Sequence, residues 1–185
     1  MLGLSLEKIG MDKKRVFLVG FMGAGKSTVG SLLAGALGWE FIDLDQAIEK
    51  QQGKAIREIF EAEGEPEFRR IETAMLNALA SKSQIVVALG GGAFAQASNR
   101  ASIARLGTSV FLDCRLEVIL TRCTDDGTRP LFRSSQLREL FAVRQPLYSE
   151  SDLCIDVSEM APYQIVHSIL EQLGSNRNET FILPS

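Results

Sequence analysis

Residues 20–28 read Gly-Phe-Met-Gly-Ala-Gly-Lys-Ser-Thr and fill the pattern G-x-x-x-x-G-K-[ST]. Glycines in such a loop let backbone N–H groups approach phosphate oxygens, and the helix that follows points its positive end at the same anion. In this pattern Lys26 reaches the β- and γ-phosphates of a nucleoside triphosphate, and the Ser27 hydroxyl binds Mg²⁺. The residues predicted to hold the nucleotide are Gly23, Ala24, Gly25, Lys26, Ser27 and Thr28.

The segments on either side of this loop have the character that the motif requires. Residues 15–19 form a short apolar run before it, and residues 28–37 form an amphipathic segment after it. Strand, loop and helix in this order identify the stretch as a P-loop. The motif is shared by kinases, NTPases and motor proteins, so it does not by itself choose a function.

The rest of the chain alternates short β-rich runs with longer helical patterns, which is typical of a parallel sheet with helices on both faces. Strands are predicted at 16–19, 40–43, 85–89, 109–112 and 153–157. Helices are predicted at 26–37, 46–51, 55–63, 65–81, 100–105, 116–122, 136–149 and 162–173. With right-handed crossovers, these elements predict a three-layer α/β sandwich with a five-stranded parallel sheet.

The length of 185 residues suits one compact domain, which we assign to residues 13–174. Residues 1–12 are expected to be a disordered N-terminal extension, and residues 175–185 a flexible tail. Residues 123–136 combine turn residues, charges and a proline without clean periodicity. We therefore predict a mobile surface loop there.

Composition excludes several classes of partner. The net charge of −3 leaves no basic excess for a mainly electrostatic nucleic-acid binder. No apolar run approaches the roughly 20 residues that span a membrane. The three cysteines form no C-x-x-C pair, which favours reduced thiols over a disulfide or metal framework. We expect a cytoplasmic protein without nucleic-acid or membrane partners, and a monomer because no apolar stripe is left for a partner.

Two aspartates follow the second predicted strand, which ends Phe41-Ile-Asp-Leu-Asp45. Residues two apart in a strand face the same side, so Asp43 and Asp45 are expected to point together. Open α/β sheets bind ligands at the carboxyl ends of their strands. A purely structural alternative is that Asp45 caps the next helix.

Residues 64–72 read GEPEFRRIE and predict a helix start with Pro66 in the first turn, where a missing N–H costs little. The charged residues of this segment also fit a solvated helix face, a set that comprises Arg69, Arg70 and Glu72.

Three glycines, residues 90–92, follow the third predicted strand. Successive glycines at the carboxyl end of a strand permit close approach of the backbone to a ligand. Residues 144–148, Arg-Gln-Pro-Leu-Tyr, end a helical segment after the predicted mobile loop.

Phosphoryl transfer would use these residues together, because it needs positive charge around the transferred group and Mg²⁺ between the phosphates. Lys26 and Arg129 would supply the charge. Ser27 and Asp43 would supply the contacts to magnesium.

The acceptor side needs a positioned hydroxyl and a nearby base, and Asp45 could orient or deprotonate that hydroxyl. Arg69 and Arg144 carry the planar fork that binds a carboxylate with two nitrogens. Two such arginines indicate an acceptor that bears a carboxylate.

The combination of GFMGAGKST, FIDLDQAIE, IREIFEAEGEPEFRRIE, GGG, TRPL and RQPLYSE, in this order, resembles shikimate kinase over roughly residues 15–173. The resemblance implies a fold of the nucleoside monophosphate kinase type with a lid, here residues 123–136. It also implies transfer of the ATP γ-phosphoryl to the 3-hydroxyl of shikimate, with Mg²⁺, on the route to chorismate and the aromatic amino acids.

The resemblance assigns roles residue by residue. Asp43 lies near magnesium with Ser27, and Asp45 contacts the shikimate hydroxyls as the proposed base. The arginines that grip the shikimate carboxylate are Arg69 and Arg144. The remaining substrate contacts that the resemblance implies are Gly91, through its backbone N–H, with Gly92, Phe60 and Phe68.

On the nucleotide side, the resemblance implies that Arg129 closes over the ATP phosphates and that Arg122 stacks on adenine. Many members of the family place a further arginine against adenine, whereas this chain has Met160 there.

Two other readings stay open at this point. A gluconate-type sugar-acid kinase or a small nucleotide kinase would share the P-loop, although we would not expect the DLD, FRR and GGG elements together. A catalytically silent, nucleotide-binding relative would keep the fold without turnover.

Overall fold

The computed structural model describes residues 14–125 and 134–175, and within these ranges five strands form one parallel sheet. The strands are β1 Arg15–Val19, β2 Glu40–Asp43, β3 Ile85–Ala88, β4 Thr108–Asp113 and β5 Leu153–Asp156. Their spatial order is β2-β3-β1-β4-β5, and each neighbouring pair is parallel. The predicted strands are confirmed, with ends that differ by no more than one residue.

The helices follow the predicted order along the chain. They are α1 Lys26–Leu37, α2 Leu44–Gln52, α3 Ile56–Ala78, α4 Ala97–Leu106, α5 Leu116–Asp125, α6 Ser134–Tyr148 and α7 Pro162–Ser175. A short 3-10 helix, Leu79–Ser81, continues α3.

The sheet is covered on both faces, because the side chains of β3 are buried throughout and those of β1 are buried after its first residue. Strands buried on both faces read as continuous apolar runs, which explains the short runs seen in the sequence. On the two sides of the sheet, α1 packs against α7 and α3 packs against α4. The architecture is therefore the predicted three-layer α/β sandwich.

The strand order places the P-loop at the centre of the sheet. After β1 the chain crosses by α1 to β2 on one side, whereas β3 connects by α4 to β4 on the other side of β1. The loop after β1 thus lies where successive connections leave in opposite directions, which is where doubly wound sheets bind ligands.

Element α3 comprises two helical segments, and these confirm the two predicted helices, 55–63 and 65–81. It is broken at Gly64, whose φ of 81° and ψ of 170° are not helical. This backbone conformation suits glycine, because a Cβ would be strained there. Pro66 follows immediately and lies in the first turn after the break, as predicted.

Helix α2 begins at Leu44, two residues earlier than predicted, and this changes the interpretation of the two aspartates. Asp43 is the N-cap of α2, where its Oδ1 accepts the N–H of Gln46 at 3.3 Å. Asp45 lies in the first turn of the helix, so the argument from strand alternation is wrong. The alternative that Asp45 caps the helix is wrong as well.

Several predicted features lie outside the described residues. They are the extension at 1–12, residues 126–133 of the predicted lid with Arg129, and the tail after residue 175. The predicted ends of the lid are wrong, because residues 123–125 belong to α5 and residues 134–136 to α6. Among the helices of residues 14–125 and 134–175, none is both long and apolar enough to cross a bilayer.

Candidate active site

A cavity of about 1260 Å³ opens at the carboxyl ends of β1, β2 and β3. Its lining contains every predicted site residue that the structure describes: Gly23, Ala24, Gly25, Lys26, Ser27, Thr28, Asp43, Asp45, Phe60, Phe68, Arg69, Gly91, Gly92, Arg122 and Arg144. Residues from distant parts of the sequence thus share one space.

The P-loop wall of this cavity is shaped by its own backbone. Gly25 is the N-cap of α1 with φ of 91°, a left-handed conformation that favours glycine, and its carbonyl accepts the N–H of Val29 at 2.9 Å. The Lys26 ammonium donates to the carbonyls of Gly20 at 2.8 Å and Phe21 at 2.9 Å. The first turn of α1 and this ammonium together form a site for an anion.

Beside the loop, two oxygen groups from different elements lie next to each other. The Ser27 hydroxyl donates to Asp43 Oδ2 at 2.6 Å, while the cap to α2 uses the other carboxylate oxygen. One aspartate therefore joins α1, the end of β2 and the start of α2. Hard oxygen donors beside a phosphate site fit Mg²⁺, which binds through one or two protein groups together with phosphates and water.

On another wall of the cavity, the glycine triplet, residues 90–92, is packed against Asp45 and Arg69. A Cβ atom at Gly90 would clash with Asp45 Oδ1. A Cβ at Gly92 would lie 2.5 Å from Arg69 Nη1 and 2.7 Å from its Cζ. These glycines are therefore needed for the close packing of a carboxylate and a guanidinium against the strand end, rather than for a turn.

The Arg69 guanidinium is held by carboxylates on its own helix. Its Nη1 donates to Glu72 at 2.9 Å. Its Nε and Nη2 donate to Glu65 at 3.2 and 3.1 Å. The guanidinium Cζ lies 5.1 Å from the centroid of the Phe68 ring. Gln96 donates to the same Glu72 oxygen at 3.0 Å. The side chain is thus fixed in direction before any ligand binds.

Glu72 is a site residue that sequence reasoning missed. It is 1% exposed, and burial raises its pKa, helped by the nearby charge of Asp45 and opposed by Arg69 and Gln96. The interpretation of 69–72 as a solvated face holds for Arg70, which is exposed, but it is wrong for Glu72. The three-residue spacing to Arg69 was the available signal, since such residues are neighbours on a helix.

Tyr148 was missed as well. It is 1% exposed, its hydroxyl donates to the carbonyl of Gly91, and the Arg144 guanidinium lies against the same glycine. Burial raises the pKa of Tyr148, while the charges of Arg144 and Arg69 lower it by less. Arg144 Nη1 lies 3.3 Å from the position of a Cβ at Gly91, so α6 meets the glycine triplet here.

Two phenylalanine rings form an apolar wall of the cavity. The rings of Phe60 and Phe68 stand 4.7 Å apart at an interplanar angle of 36°, on opposite sides of the break at Gly64. The cavity therefore offers an apolar ring surface beside two guanidinium groups.

At the other end of the cavity, Arg122 reaches the P-loop. Its Nη1 donates to the carbonyl of Gly23 at 3.2 Å and lies 3.7 Å from Cys114 Sγ. Three residues near the start of α7 also line the cavity: Met160, Pro162 and Ile165.

Together the P-loop, the serine–aspartate pair and the guanidinium-lined acceptor pocket define a P-loop kinase of a small molecule. A family model described as shikimate kinase matches residues 22–174. A shikimate kinase of Persephonella marina is 42% identical over 162 residues, which cover 86% of this chain and 99% of that one.

Solved structures agree with this match. The shikimate kinase of Acinetobacter baumannii in complex with shikimate has a TM-score of 0.84 and 41% identity, covering 91% of this chain and 97% of that one. The shikimate kinase of Aquifex aeolicus has a TM-score of 0.79 and 38% identity, covering 90% and 99%. The chain belongs to the shikimate kinase family.

Proposed function

We propose that this protein transfers the γ-phosphoryl group of ATP to the 3-hydroxyl of shikimate, giving ADP and 3-phosphoshikimate on the route to chorismate. One observation carries the proposal: Arg69 and Arg144 meet at the glycine triplet, beside Asp45, in the cavity that the P-loop also lines. A small acceptor with one carboxylate and ring hydroxyls fits this arrangement. The related Acinetobacter structure holds shikimate, which supports the choice of acceptor.

On the donor side, we assign the triphosphate to the P-loop amides and to Lys26, whose ammonium already lies over the loop. Arg129 is assigned to the same phosphates by family resemblance. The residues assigned to Mg²⁺ are Ser27 and Asp43, whose oxygens are 2.6 Å apart. When bound, the ion would screen the phosphate charge and favour attack by the acceptor.

Asp45 is assigned as the base that orients the acceptor hydroxyl and takes its proton. Its carboxylate lies against Gly90 and lines the cavity that the P-loop and the two arginines also line. Gly91 and Gly92 are assigned to the substrate through their backbone. Phe60 and Phe68 are assigned to one face of the shikimate ring.

For adenine, we assign the end of the cavity lined by Arg122 and Met160. Met160 would supply apolar contact where many relatives have an arginine. The guanidinium of Arg122 supplies the planar surface for stacking.

We further propose that the protein works in the cytoplasm as a monomer. Cys114 and Cys154 are free thiols, which a reducing compartment preserves. The large exposed apolar side chains in the described ranges lie on three separate helices: Leu32, Val143 and Tyr163. Such scattered residues do not form a patch for a second copy.

The test is ADP release by the purified protein with ATP and Mg²⁺, comparing shikimate, gluconate, a nucleoside monophosphate and no acceptor. We expect release to be stimulated by shikimate alone. Stimulation by gluconate or by the nucleotide would retain the kinase class and overturn the acceptor. If the protein bound ATP but no acceptor stimulated ADP release, a catalytically silent, nucleotide-binding relative would be favoured.

A further inference from the structure

We propose that Tyr148 is a positioning residue for the acceptor site, which fixes the Arg144 guanidinium against the glycine triplet through its hydroxyl. The inference rests on the proposed function, because it needs an acceptor whose carboxylate Arg144 binds. It adds to that function a residue whose hydroxyl acts through its neighbours and not on the reacting atoms.

The contacts of Tyr148 join three separate elements. Its ring packs on β4, with a centroid distance of 5.4 Å to Phe111, and anchors the side chain to the sheet. Its hydroxyl donates to the carbonyl of Gly91, in the loop after β3. The hydroxyl oxygen and Arg144 Nη1, on α6, lie 3.7 and 3.3 Å from the position of a Cβ at Gly91, so the two groups meet against this glycine. The hydroxyl therefore lies at the point where helix and loop meet.

The spacing on α6 explains how one tyrosine can hold the arginine. Arg144 precedes Tyr148 by four residues, so both side chains extend from the same face of the helix. An arginine side chain has several freely rotating bonds, and ordering them opposes the binding of a carboxylate. A buried hydroxyl that is itself anchored to the sheet removes much of this disorder before the ligand arrives.

The competing interpretation is that Tyr148 is a core side chain whose hydroxyl merely satisfies a buried carbonyl. Burial of 99% of its surface fits that interpretation as well. The two interpretations differ in one respect: a positioning role depends on Arg144 and on the substrate carboxylate, whereas a packing role does not.

The first experiment is Tyr148→Phe, which keeps the ring and removes the hydroxyl. We expect kcat/KM for shikimate to fall about tenfold, as for a lost hydrogen bond to a charged group. The fall should come mainly from KM for shikimate, with KM for ATP unchanged. Tyr163→Phe is the matched control, because Tyr163 is 72% exposed and should behave as wild type.

The decisive experiment is a double-mutant cycle with Arg144→Ala, using kcat/KM from initial slopes so that saturation is not needed. Removal of Arg144 should raise KM for shikimate strongly. In that background, Tyr148→Phe should change kcat/KM less than about twofold. The proposal would be overturned if the effects of the two substitutions on kcat/KM for shikimate multiplied. It would also be overturned if Tyr148→Phe alone left kcat/KM for shikimate unchanged, or if it lowered kcat/KM for ATP by the same factor.

If Arg144→Ala folds poorly, the same test can be made by changing the substrate in place of the arginine. The methyl ester of shikimate lacks the carboxylate charge, so Tyr148→Phe and wild type should use it equally well. A tenfold difference on the ester would show that the hydroxyl acts elsewhere. Failure of wild type to use shikimate at all would instead refute the proposed function, which separates the two claims.

Discussion

At the scale of single residues, Gly92 shows how a missing side chain can set the position of a neighbouring guanidinium group. The Arg69 guanidinium occupies the space that a Cβ would need, 2.5 Å from Nη1. Because Glu72 and Glu65 also hold this guanidinium, it cannot move without breaking ion pairs. The position of Arg69 therefore depends on two carboxylates and on one absent methyl group.

We predict that Gly92→Ala raises KM for shikimate by roughly tenfold or more, since the displaced guanidinium loses its bidentate geometry. KM for ATP should stay within about twofold, because the P-loop is not disturbed. Steady-state kinetics with each substrate varied in turn give both values. Gly35→Ala, with open space around its Cβ, is the control and should leave both unchanged; parallel rises in both KM values would contradict the prediction.

For Asp45→Asn, we predict that kcat falls about 10²- to 10⁴-fold, because the amide keeps the shape of the carboxylate but cannot accept the hydroxyl proton. The dissociation constant for ATP, measured by calorimetry, should change little. Turnover close to that of wild type would remove the base role from Asp45. Loss of ATP binding would show that the substitution disturbs the P-loop.

At the scale of elements, α3 carries residues that we assign to the acceptor on both sides of its break at Gly64. Phe60 lies before the break, whereas Phe68 and Arg69 lie after it. The change of direction lets the two rings stand 4.7 Å apart on one wall of the cavity. The break is thus part of the architecture of the site.

Gly64→Ala should lower the free energy of unfolding by about 1–3 kcal/mol, the usual cost of a side chain in a backbone conformation reserved for glycine. The steric environment is not the reason, since the nearest atom to a Cβ is 3.6 Å away. Urea unfolding of both variants gives the value. Gly35→Ala, on the regular helix α1, should be stabilising or neutral, and an equal effect at both positions would argue against backbone strain at Gly64.

The elements of the sheet could be predicted because each buried strand is a short apolar run between turn signals. The break of α3 at Gly64 could be predicted as well, because glycine and proline at 64 and 66 are typical of a boundary. The start of α2 was placed too late because Asp43 acts both as a strand residue and as a helix cap. At Asp43 the signal for the end of a strand and the signal for the start of a helix overlap.

At the scale of the whole molecule, the pH dependence of stability reflects how carboxylates are buried. Burial raises the pKa of Glu72 above its ordinary value of 4.5, so the folded protein binds more protons than the unfolded chain just above that pH. The contribution of Glu72 to stability is therefore complete below pH 4.5 and is lost as pH rises through the folded pKa. Glu67 is the opposite case, because its hydrogen bond from Arg70 lowers its pKa.

We predict opposite trends for two matched variants in urea unfolding between about pH 3 and pH 7. The stability of wild type relative to Glu72→Gln should fall as pH rises above 4.5. The stability of wild type relative to Glu67→Gln should fall as pH decreases below 4.5. Trends of the same sign would show that burial does not dominate at Glu72.

The five-stranded fold and most of the lining of the candidate site could be predicted from the sequence, since the P-loop, the aspartates and the glycine triplet lie at or just after strand ends that the topology brings together. Glu72 and Tyr148 did not follow, because their burial depends on packing between distant segments. Gln96 reaches Glu72 from the start of α4, and Gly91 reaches Tyr148 from the end of β3. A helix pattern reveals neighbours on its own element but not those on another.

The order of the sheet has a consequence for how this protein can change over evolution. The proposed shikimate contacts, Arg144 apart, fall between Asp45 and Gly92, on the side of β2 and β3, whereas the triphosphate loop belongs to the central strand. Most of the proposed acceptor contacts are thus encoded in one contiguous piece of the gene. A single recombination spanning that piece could exchange these contacts, leaving Arg144, Tyr148 and the nucleotide machinery of the ancestor in place.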